Sequence, residues 1–318
     1  HVMVIGPGQE AAQLEGSKSF AKEFMGRNNI PTAAYKEFKK AEIENALEYI
    51  RKRDLPIVIK ADGLAAGKGV VICQNHDEAE KELKAMLEEA RFGKASEKVI
   101  IEEFLEGREF SVFVLTDGKN FKILPVARDY KRAGEGDTGP NTGGMGAVSP
   151  VDFVDDDLLE KSIQTVVKPS IAGLEKEGMP YRGILYCGLM EVNGEPFVIE
   201  YNVRFGDPET QVVLPRLKSD LLLLFKSLFD GGLEDMSVEQ NEKKAATVVL
   251  ASKGYPGSYE KGKPIRGLEE KPDILFFHAG TSRISGDLTT SGGRVIAVTG
   301  LGPTQQIALA KAYFAVEE

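Results

Sequence analysis

The stretch at positions 198–211, VIEYNVRFGDPETQ, constrains the fold of this chain more than any other. Up to position 205 it alternates, with Ile199, Tyr201, Val203 and Phe205 in one set and Glu200, Asn202 and Arg204 in the other. Side chains of a β-strand point alternately to its two faces. The stretch therefore predicts a strand with one core-facing apolar side. Its other side carries a carboxylate, an amide and a guanidinium.

The three polar groups on this strand need partners if they leave water. A divalent cation together with phosphates would satisfy all three, and an amphipathic strand with a solvated face is the alternative. Directly afterwards, Asp207 and Pro208 are residue types that cap a helix and occupy its first position. We therefore expect a helix over 208–217.

Length and charge restrict the class of partner. The chain has 318 residues and a net charge of −9, from 40 basic and 49 acidic side chains. This balance disfavours nucleic acid or a membrane surface as a partner. No apolar run approaches the roughly 18 residues of a membrane span, and the cysteines and histidines show no zinc-site spacing. We expect no nucleic-acid or membrane partner.

The two cysteines indicate a reducing environment. Cys73 and Cys187 both lie in apolar runs, VVICQ and ILYCG. Buried reduced thiols are favoured over a disulfide, and such thiols are usual in reducing compartments. No signal segment opens the chain. We therefore expect a cytoplasmic protein.

A glycine-rich turn follows the strand that ends at Lys60. The turn spans positions 61–69, ADGLAAGKG, and includes Gly67, Lys68 and Gly69. Its backbone N–H groups and one ammonium group can close over phosphates. It is not a P-loop, because Asp62 replaces a required glycine and Gly69 a required serine or threonine. A plain hairpin is the alternative.

Positions 102–109, EEFLEGRE, end another predicted strand with several acidic residues. A solvated strand end would explain such a charge run. The functional alternative is an edge between two domains, where the backbone of Glu103 and Leu105 pairs with adenine. Glu109 would then accept hydrogen bonds from ribose hydroxyls.

A long glycine-rich segment, AGEGDTGPNTGGMGAVSP at positions 133–150, holds six glycines and two prolines. It predicts a loop too long to be a simple connection. Lys131 and Arg132 precede this segment and form a candidate anion site. The segment itself can approach a ligand closely, because glycine has no Cβ. The alternative, an ordinary surface turn, would need fewer glycines.

These motifs, in this order, resemble those of the ATP-grasp ligases. Within them the chain resembles the glycinamide ribonucleotide synthetase family over essentially its whole length. The resemblance rests on six sequence segments: QLEGSKSFAKEFM, IKADGLAAGKGVVI, GDTGPNTGGMGAVSP, YRGILYCGLM, IEYNVRFGDPETQ and TSGGRV. The pair GDTGPNTGGMG and RFGDPETQ is more specific than any single glycine motif.

The resemblance implies an α+β, ATP-grasp fold with antiparallel sheets, a glycine-hairpin lid subdomain over a larger core, and a small C-terminal β-rich domain. The boundaries we expect are 1–35 for the linker and first helix, 36–106 for the lid, 107–235 for the core, and 236–318 for the C-terminal domain. The family's N-terminal domain and its extreme C-terminus are expected to be absent from this chain.

The resemblance also assigns residues, position by position. It implies ATP binding by Lys22, Lys60, Gly67, Lys68, Gly69, Glu103, Leu105 and Glu109. It implies a substrate cleft lined by Asp129, Lys131, Arg132, Asp137, Gly139, Pro140 and Asn141. It implies Mg²⁺ or Mn²⁺ on Glu200 and Asn202, with Arg204 and Asp207 as catalytic residues. Glu191, on the neighbouring strand, is a further candidate metal ligand, but we expect it to point away from the metal.

The implied activity is ATP-dependent ligation of glycine to 5-phosphoribosylamine in purine biosynthesis, through glycyl phosphate, by a monomer. Such chemistry needs charge neutralisation and alignment. The inventory of lysines, an arginine and metal ligands, without a Ser-His or Cys-His pair, is consistent with that. The alternatives are another ATP-grasp carboxylate–amine ligase of purine metabolism, or a non-catalytic nucleotide-binding fragment.

Overall fold

The computed structural model describes residues 2–63, 69–89, 91, 93–136, 138–284 and 286–317. Its strands are β1 (Gly6–Pro7), β2 (Tyr35–Lys39), β3 (Ile57–Ala61), β4 (Val70–Cys73), β5 (Lys98–Glu103), β6 (Arg108–Thr116), β7 (Phe121–Ile123), β8 (Arg128–Gly134), β9 (Thr138–Ser149), β10 (Tyr181–Val192), β11 (Glu195–Asn202), β12 (Lys244–Ala251), β13 (Ile274–His278), β14 (Thr281–Ile284), β15 (Asp287–Thr290) and β16 (Arg294–Gly302).

Its helices are α1 (Gln13–Gly16), α2 (Lys18–Arg27), α3 (Ile43–Arg51), α4 (His76–Leu87), α5 (Asp156–Ser162), α6 (Lys168–Lys176), α7 (Thr210–Val213), α8 (Leu221–Asp230) and α9 (Gln305–Glu317). A π-helical turn, Ile163–Val167, joins α5 to α6, and short 3-10 turns occur at Lys40–Glu42, Gly93–Ser96, Leu214–Arg216 and Leu233–Asp235. Among the described residues, no helix is both long and apolar enough to cross a membrane.

The first sheet has four antiparallel strands in the order β2–β5–β3–β4. Alternate residues of its central strands, among them Ile57, Ile59 and Ile101, share a core with α3 and α4. Residues of the opposite face include Lys60 and Glu102, which are also buried. These two charged side chains form an ion pair at 2.9 Å, which offsets the cost of burying them on this face.

The second sheet is built around β10. This strand pairs with β6 along one edge and with β1 and β11 along the other, all antiparallel, and β7 extends the sheet beyond β6. Helices α2, α5 and α6 bury Phe24, Leu158 and Ile171 in one core with Val112 and Leu185 of the sheet. The helices therefore cover one face and leave the other to the third sheet.

The third sheet has the order β13–β16–β12–β9–β8 and joins residues 128–149 to residues 244–302. It meets the second sheet in a core that includes Phe113, Ala147 and Ala245. The hairpin β14–β15 stands apart as a two-stranded sheet. Antiparallel sheets with helices on their faces confirm the predicted α+β class.

The prediction of a loop over 133–150 is wrong, because most of this segment is strand β9, paired with β8 and β12. Gly146 lies opposite both neighbours, and a Cβ there would lie 2.6 Å from the Thr247 carbonyl oxygen. The glycine at this position lets the neighbouring strands approach closely. A glycine-rich segment can therefore form a strand and not a loop.

The predicted helix start at Pro208 is also wrong. Residues 207–209 form a turn, and α7 spans only Thr210–Val213 before a 3-10 turn. Asp207 does not cap the helix. Its carboxylate instead accepts hydrogen bonds from the side chains of Gln211 and Arg294.

The strict alternation predicted through Phe205 is broken at Ile199. The register between β10 and β11 shifts there, because Gly188 lies opposite Glu200 while Leu189 lies opposite Val198. Ile199 is the extra residue of a β-bulge, and such a bulge re-aims the side chains that follow it. The strand ends at Asn202, three residues earlier than predicted.

Candidate active site

A small polar cleft lies where β8 of the third sheet faces the second sheet, with about 210 Å³ of empty space that includes open solvent. Its walls come from β6, β8, β10 and β11, and its lining includes Glu109, Asp129, Lys131, Tyr186 and Glu200. The bulge places Ile199 and Glu200 together in this lining, while Val198 and Tyr201 lie in the core of the second sheet. A local irregularity thus brings the predicted metal ligand into the cleft.

Glu200 is half-buried, and its carboxylate has no hydrogen-bond or ion-pair partner in the described part of the chain. Asn202, two residues on, accepts one hydrogen bond through Oδ1 from Arg204, at 3.2 Å. A half-buried carboxylate without a partner is costly unless a ligand supplies positive charge. Glu200 therefore has the environment of a binding residue.

Lys131 lies between two acidic residues of the cleft. Its Nζ donates to Glu109 Oε2 at 2.7 Å and to Asp129 Oδ1 at 3.0 Å. Burial alone lowers the pKa of Lys131, but the two carboxylates raise it well above its ordinary value. Lys131 is therefore a permanent cation. Glu109, predicted at the ribose, contacts the predicted substrate residue Lys131 directly.

Two predicted phosphate-binding lysines meet on one carboxylate. Glu102 Oε2 lies 3.2 Å from Lys22 Nζ and 2.9 Å from Lys60 Nζ, and all three side chains are at most 7% exposed. Lys22 also donates to Thr32 Oγ1 and to the Ala33 carbonyl. Burial lowers the pKa of Lys22 to about 8, although Glu102 opposes the shift.

This lysine pair retains unused bonding capacity. Glu102 Oε1 is buried and has no hydrogen-bond partner among the residues described. Besides Glu102, Lys60 contacts only the Ile199 carbonyl, at 3.4 Å, so one of its three N–H groups is free within the described chain. Two cations share one anion here, which leaves net positive charge beside the bulge that carries Glu200. Such a site attracts an anion such as a phosphate.

The two predicted catalytic residues have separate surroundings. Arg204 is ion-paired to Glu15 at 2.8 Å and also donates to the Phe205 carbonyl, and its side chain is 55% exposed. Asp207 is ion-paired to Arg294 at 2.7 Å. Both residues follow the strand that carries Glu200, and neither contacts Glu200 directly.

The remaining predicted residues lie at two edges of the site. The Glu103 carboxylate accepts from the Ala34 backbone N–H, Leu105 lies in the connection to β6, and Gly69 is buried just before β4. Arg132 donates to the Gly139 carbonyl at the tip of the β8–β9 hairpin, which also holds Pro140 and Asn141. Gly67, Lys68 and Asp137 lie outside the described residues.

Glu191 is occupied elsewhere, as expected of a residue pointing away from the metal. Its carboxylate pairs with Arg108 at 2.8 Å and accepts from the Gly194 backbone N–H at 2.7 Å, at the β10–β11 turn. These two bonds explain why the pKa of Glu191 is lowered. Glu191 therefore serves the hairpin and not the cleft.

Sequence reasoning missed five residues that the structure places around the site: Glu15, Glu102, Tyr186, Glu209 and Arg294. A signal existed for Glu102, because a period of two places it on the face of Lys60 in the first sheet. Arg294 and Glu209 lie inside the quoted motifs TSGGRV and RFGDPETQ. Nothing distinguished Tyr186 from an ordinary core tyrosine.

Glu209 and Tyr186 form a buried polar chain behind the cleft. Tyr186 donates to Glu209 Oε1 at 3.0 Å and accepts from Ser111 at 2.9 Å. Burial and then the nearby Asp129 carboxylate raise the pKa of Glu209 to about 7. These hydrogen-bonded side chains support the wall of the cleft and link it to the turn that contains Glu209.

The donor set fits a magnesium ion that also binds phosphates. The described residues hold no cluster of three or more His, Cys, Asp or Glu side chains arranged for a metal. Glu200 and Asn202 offer two oxygen ligands, one of them without a protein partner. Mg²⁺ is typically held by one or two protein oxygens, with phosphates and water completing its shell. The site therefore suits a metal that arrives with a nucleotide.

Comparison with known proteins supports the same family from independent directions. Residues 16–210 match the phosphoribosylglycinamide synthetase ATP-grasp (A) domain, and residues 245–318 match the phosphoribosylglycinamide synthetase C domain. A phosphoribosylamine–glycine ligase from Pasteurella multocida (strain Pm70) is 49% identical over 315 residues, which cover 97% of this chain and 73% of the relative.

Solved structures agree with the sequence comparison. The phosphoribosylamine–glycine ligase from Thermotoga maritima is 42% identical, has a TM-score of 0.90, and is matched over 99% of this chain and 78% of its own. A biotin carboxylase domain of 2-oxoglutarate carboxylase from Hydrogenobacter thermophilus, solved with MgADP and bicarbonate, shares the fold at 19% identity, with a TM-score of 0.78 and coverage of 98% and 67%. The chain therefore belongs to the phosphoribosylglycinamide synthetase family of ATP-grasp ligases.

Proposed function

We propose that this chain uses ATP to ligate glycine to 5-phosphoribosylamine, giving glycinamide ribonucleotide, ADP and phosphate in purine biosynthesis. Family membership makes it a carbon–nitrogen ligase, and the relatives from Pasteurella multocida and Thermotoga maritima carry the name of this activity. The observation that carries the proposal is the Glu200 carboxylate, which has no partner among the residues the structure describes, beside the buried Lys22–Lys60–Glu102 group.

The reaction proceeds in two steps. A carboxylate oxygen of glycine attacks the γ-phosphorus of ATP, the bond from that phosphorus to the bridging oxygen breaks, and ADP leaves. The amine of phosphoribosylamine then attacks the carbonyl carbon of glycyl phosphate. The C–O bond to phosphate breaks, phosphate departs with the electron pair, and the nitrogen loses a proton. Phosphorylation is needed because oxide would otherwise be the leaving group.

The residues of the cleft supply charge and alignment for these steps. Lys60, which has one N–H without a partner in the described part of the chain, holds phosphate oxygens, and Lys22 adds positive charge beside it. Glu200 and Asn202 would hold Mg²⁺ or Mn²⁺, and this ion would neutralise charge on the phosphates. Arg204 stabilises charge on the transferring group, and Asp207 orients the amine substrate.

The other predicted binding residues divide between the two substrates. The backbone of Glu103 and Leu105 pairs with adenine at the edge of the first sheet, and Gly67, Lys68 and Gly69 cover the phosphates. Asp129, Lys131 and the hairpin tip contact glycine and phosphoribosylamine. Lys131 is suited to an anionic group because its positive charge persists at every physiological pH.

We further propose a cytoplasmic monomer divided at the boundaries predicted from sequence, 1–35, 36–106, 107–235 and 236–318. The first sheet, which spans Tyr35 to Glu103, supports a separate lid. The third sheet combines strands of the core with strands of the C-terminal domain, so these two parts share one sheet.

Substrate-dependent release of ADP tests the proposed function. We expect release when glycine and phosphoribosylamine are both present, and only background release with bicarbonate in place of glycine. Release with bicarbonate would favour a carboxylase-type ATP-grasp enzyme, whose relative among the solved structures carries bicarbonate. Tight Mg-ATP binding without release under any condition would favour a non-catalytic nucleotide-binding protein.

The lowered pKa of Lys22 predicts a pH dependence of nucleotide affinity. With a pKa of about 8, the ammonium group is mostly protonated at pH 7 and mostly neutral at pH 9. Because only the charged form attracts phosphates, affinity for Mg-ATP should fall by about tenfold across this range. Calorimetric titration at several pH values measures it.

The matched control is Lys22→Met, which keeps a long unbranched side chain without the charge. Its affinity should be weaker at pH 7 and nearly constant from pH 7 to pH 9. An unchanged slope in this variant would show that another group titrates, and a flat profile in the unmodified protein would contradict the role of Lys22.

A further inference from the structure

Arg294, at the start of β16, reaches across to two segments of the predicted substrate site. Its guanidinium donates to Asp207 Oδ2 at 2.7 Å and to the Asp207 carbonyl at 3.0 Å. It also donates to the carbonyls of Gly143, at 2.7 Å, and Gly144, at 3.4 Å. One side chain of the C-terminal domain thus binds both the GDTGPNTGGMG and the RFGDPETQ segments.

The surrounding glycines leave room for this arrangement. A Cβ on Gly143 would lie 3.0 Å from the Arg294 guanidinium carbon, and a Cβ on Gly280 would lie 2.5 Å from the Arg294 carbonyl oxygen. Tyr255, from the same domain, accepts the Gly143 backbone N–H at 3.0 Å through its hydroxyl. Strand β9 is therefore held at Gly143 on both its N–H and its carbonyl.

A chain of hydrogen bonds continues from this point to the cleft. The Gly144 backbone N–H donates to Thr142 Oγ1 at 3.0 Å, and the Thr142 hydroxyl donates to the Lys131 carbonyl at 2.8 Å. Lys131 lines the cleft. Arg294 is thus connected to the site through Lys131 as well as through Asp207.

We propose that Arg294 is a positioning residue that fixes Asp207 and Lys131 for the amine substrate, an assignment that rests on the proposed function. Asp207 receives one hydrogen bond at each carboxylate oxygen, from Gln211 and from Arg294. Each oxygen still has a free lone pair, and the side chain is 48% exposed. The carboxylate is therefore held in one orientation and remains open to an ammonium or amine group.

The planar fork of arginine matters to this role. Arg294 serves four acceptors on two segments, which a lysine ammonium with three donors cannot reproduce in one plane. Lysine would keep the attraction to Asp207 and lose most contacts to the glycine carbonyls. The two substitutions Arg294→Lys and Arg294→Ala therefore separate charge from geometry.

Steady-state kinetics with each substrate varied in turn is the first test. We expect Arg294→Ala to lower kcat/KM for glycine or phosphoribosylamine by about 10²-fold, and Arg294→Lys to lower it by about tenfold. In both variants the Kd of Mg-ATP should change by less than about twofold. Arg283→Ala, on the exposed β14 of the same domain, is the matched control and should match the unmodified protein. Equal losses in ATP affinity and in kcat/KM would overturn the proposal.

A double-mutant cycle tests whether Arg294 acts through Asp207. If it does, Arg294→Ala combined with Asp207→Asn should be little slower than Asp207→Asn alone. Fully multiplied losses would show that Arg294 acts independently of Asp207. That outcome would contradict the positioning of Asp207 and overturn the proposal as stated.

Hydrogen exchange provides a readout that does not depend on turnover. Arg294→Ala should speed amide exchange in peptides covering 139–146 and 203–211, while β12 and the rest of β16 keep their protection. Faster exchange throughout 244–302 would mean general loosening of the domain and would overturn the proposal. If the unmodified chain shows no glycine-dependent turnover, the proposed function fails, and this exchange pattern alone decides the role of Arg294.

Discussion

Replacing Glu200 with alanine is expected to lower kcat by about 10²–10³-fold and to leave the fold intact. Glu200 offers the one carboxylate of the proposed metal site and has no partner among the described residues. Its removal therefore breaks no internal ion pair. It removes the group that would hold Mg²⁺ against the phosphates. Turnover at saturating Mg-ATP and the thermal unfolding temperature are the two measurements.

Glu191→Ala is the matched control for this prediction. Glu191 lies on the neighbouring strand, but its carboxylate is bound to Arg108 and to the Gly194 N–H. We expect its kcat to stay near that of the unmodified protein. Loss of cooperative unfolding in Glu200→Ala, or equal losses of activity in the two variants, would make Glu200 a structural residue.

Replacing Glu102 with alanine is expected to lower the free energy of unfolding more than any other substitution proposed for this protein. The change leaves two buried lysines, 2% and 5% exposed as residues, without their shared counter-charge. Removing one partner of a buried ion pair typically costs about 3–5 kcal/mol in the free energy of unfolding. Urea denaturation followed by circular dichroism at pH 7 measures this loss.

Glu37→Ala is the stability control, because Glu37 pairs with Lys98 on the surface of the same sheet. Such a pair is worth about 1 kcal/mol or less. Mg-ATP should restore more stability to Glu102→Ala than to the control, since phosphates would replace the missing negative charge. Equal effects of the two substitutions, with no extra rescue by Mg-ATP, would contradict the role given to Glu102.

Sequence reasoning predicted the fold class, which the structure confirms, and it proposed a phosphate and metal site from residue types in fixed order. The identity of Glu200 and Asn202 and the strand that carries them follow from local alternation. The presence of Lys60 before a glycine-rich turn is equally local. No tertiary information was needed to propose a phosphate and metal site.

The errors arose where tertiary contacts override local pattern. The bulge at Ile199 depends on pairing with β10, which no alternation within β11 reveals. Strand β9 exists because β8 and β12 pair with it, although its own composition is typical of a loop. Asp207 had the residue type of a helix cap, and the distant Arg294 binds its carboxylate instead.

The contacts between site residues are the feature that the sequence predicts least well. Glu102 binds lysines 80 and 42 positions away, Lys22 and Lys60, so the grouping appears only after the first sheet is assembled beside α2. Arg294 lies 87 positions from Asp207. Sequence motifs can identify such residues as typical of a family, but only the structure shows which residues they contact.

The most direct test of the proposed chemistry follows the carboxylate oxygen of glycine. We would supply glycine labelled with ¹⁸O in its carboxylate, together with Mg-ATP and phosphoribosylamine, and analyse the released phosphate by mass spectrometry. Activation as glycyl phosphate predicts one ¹⁸O atom in each phosphate, with the other oxygen retained in the amide product. Phosphate released without ¹⁸O while the amide forms would contradict activation of glycine by phosphoryl transfer.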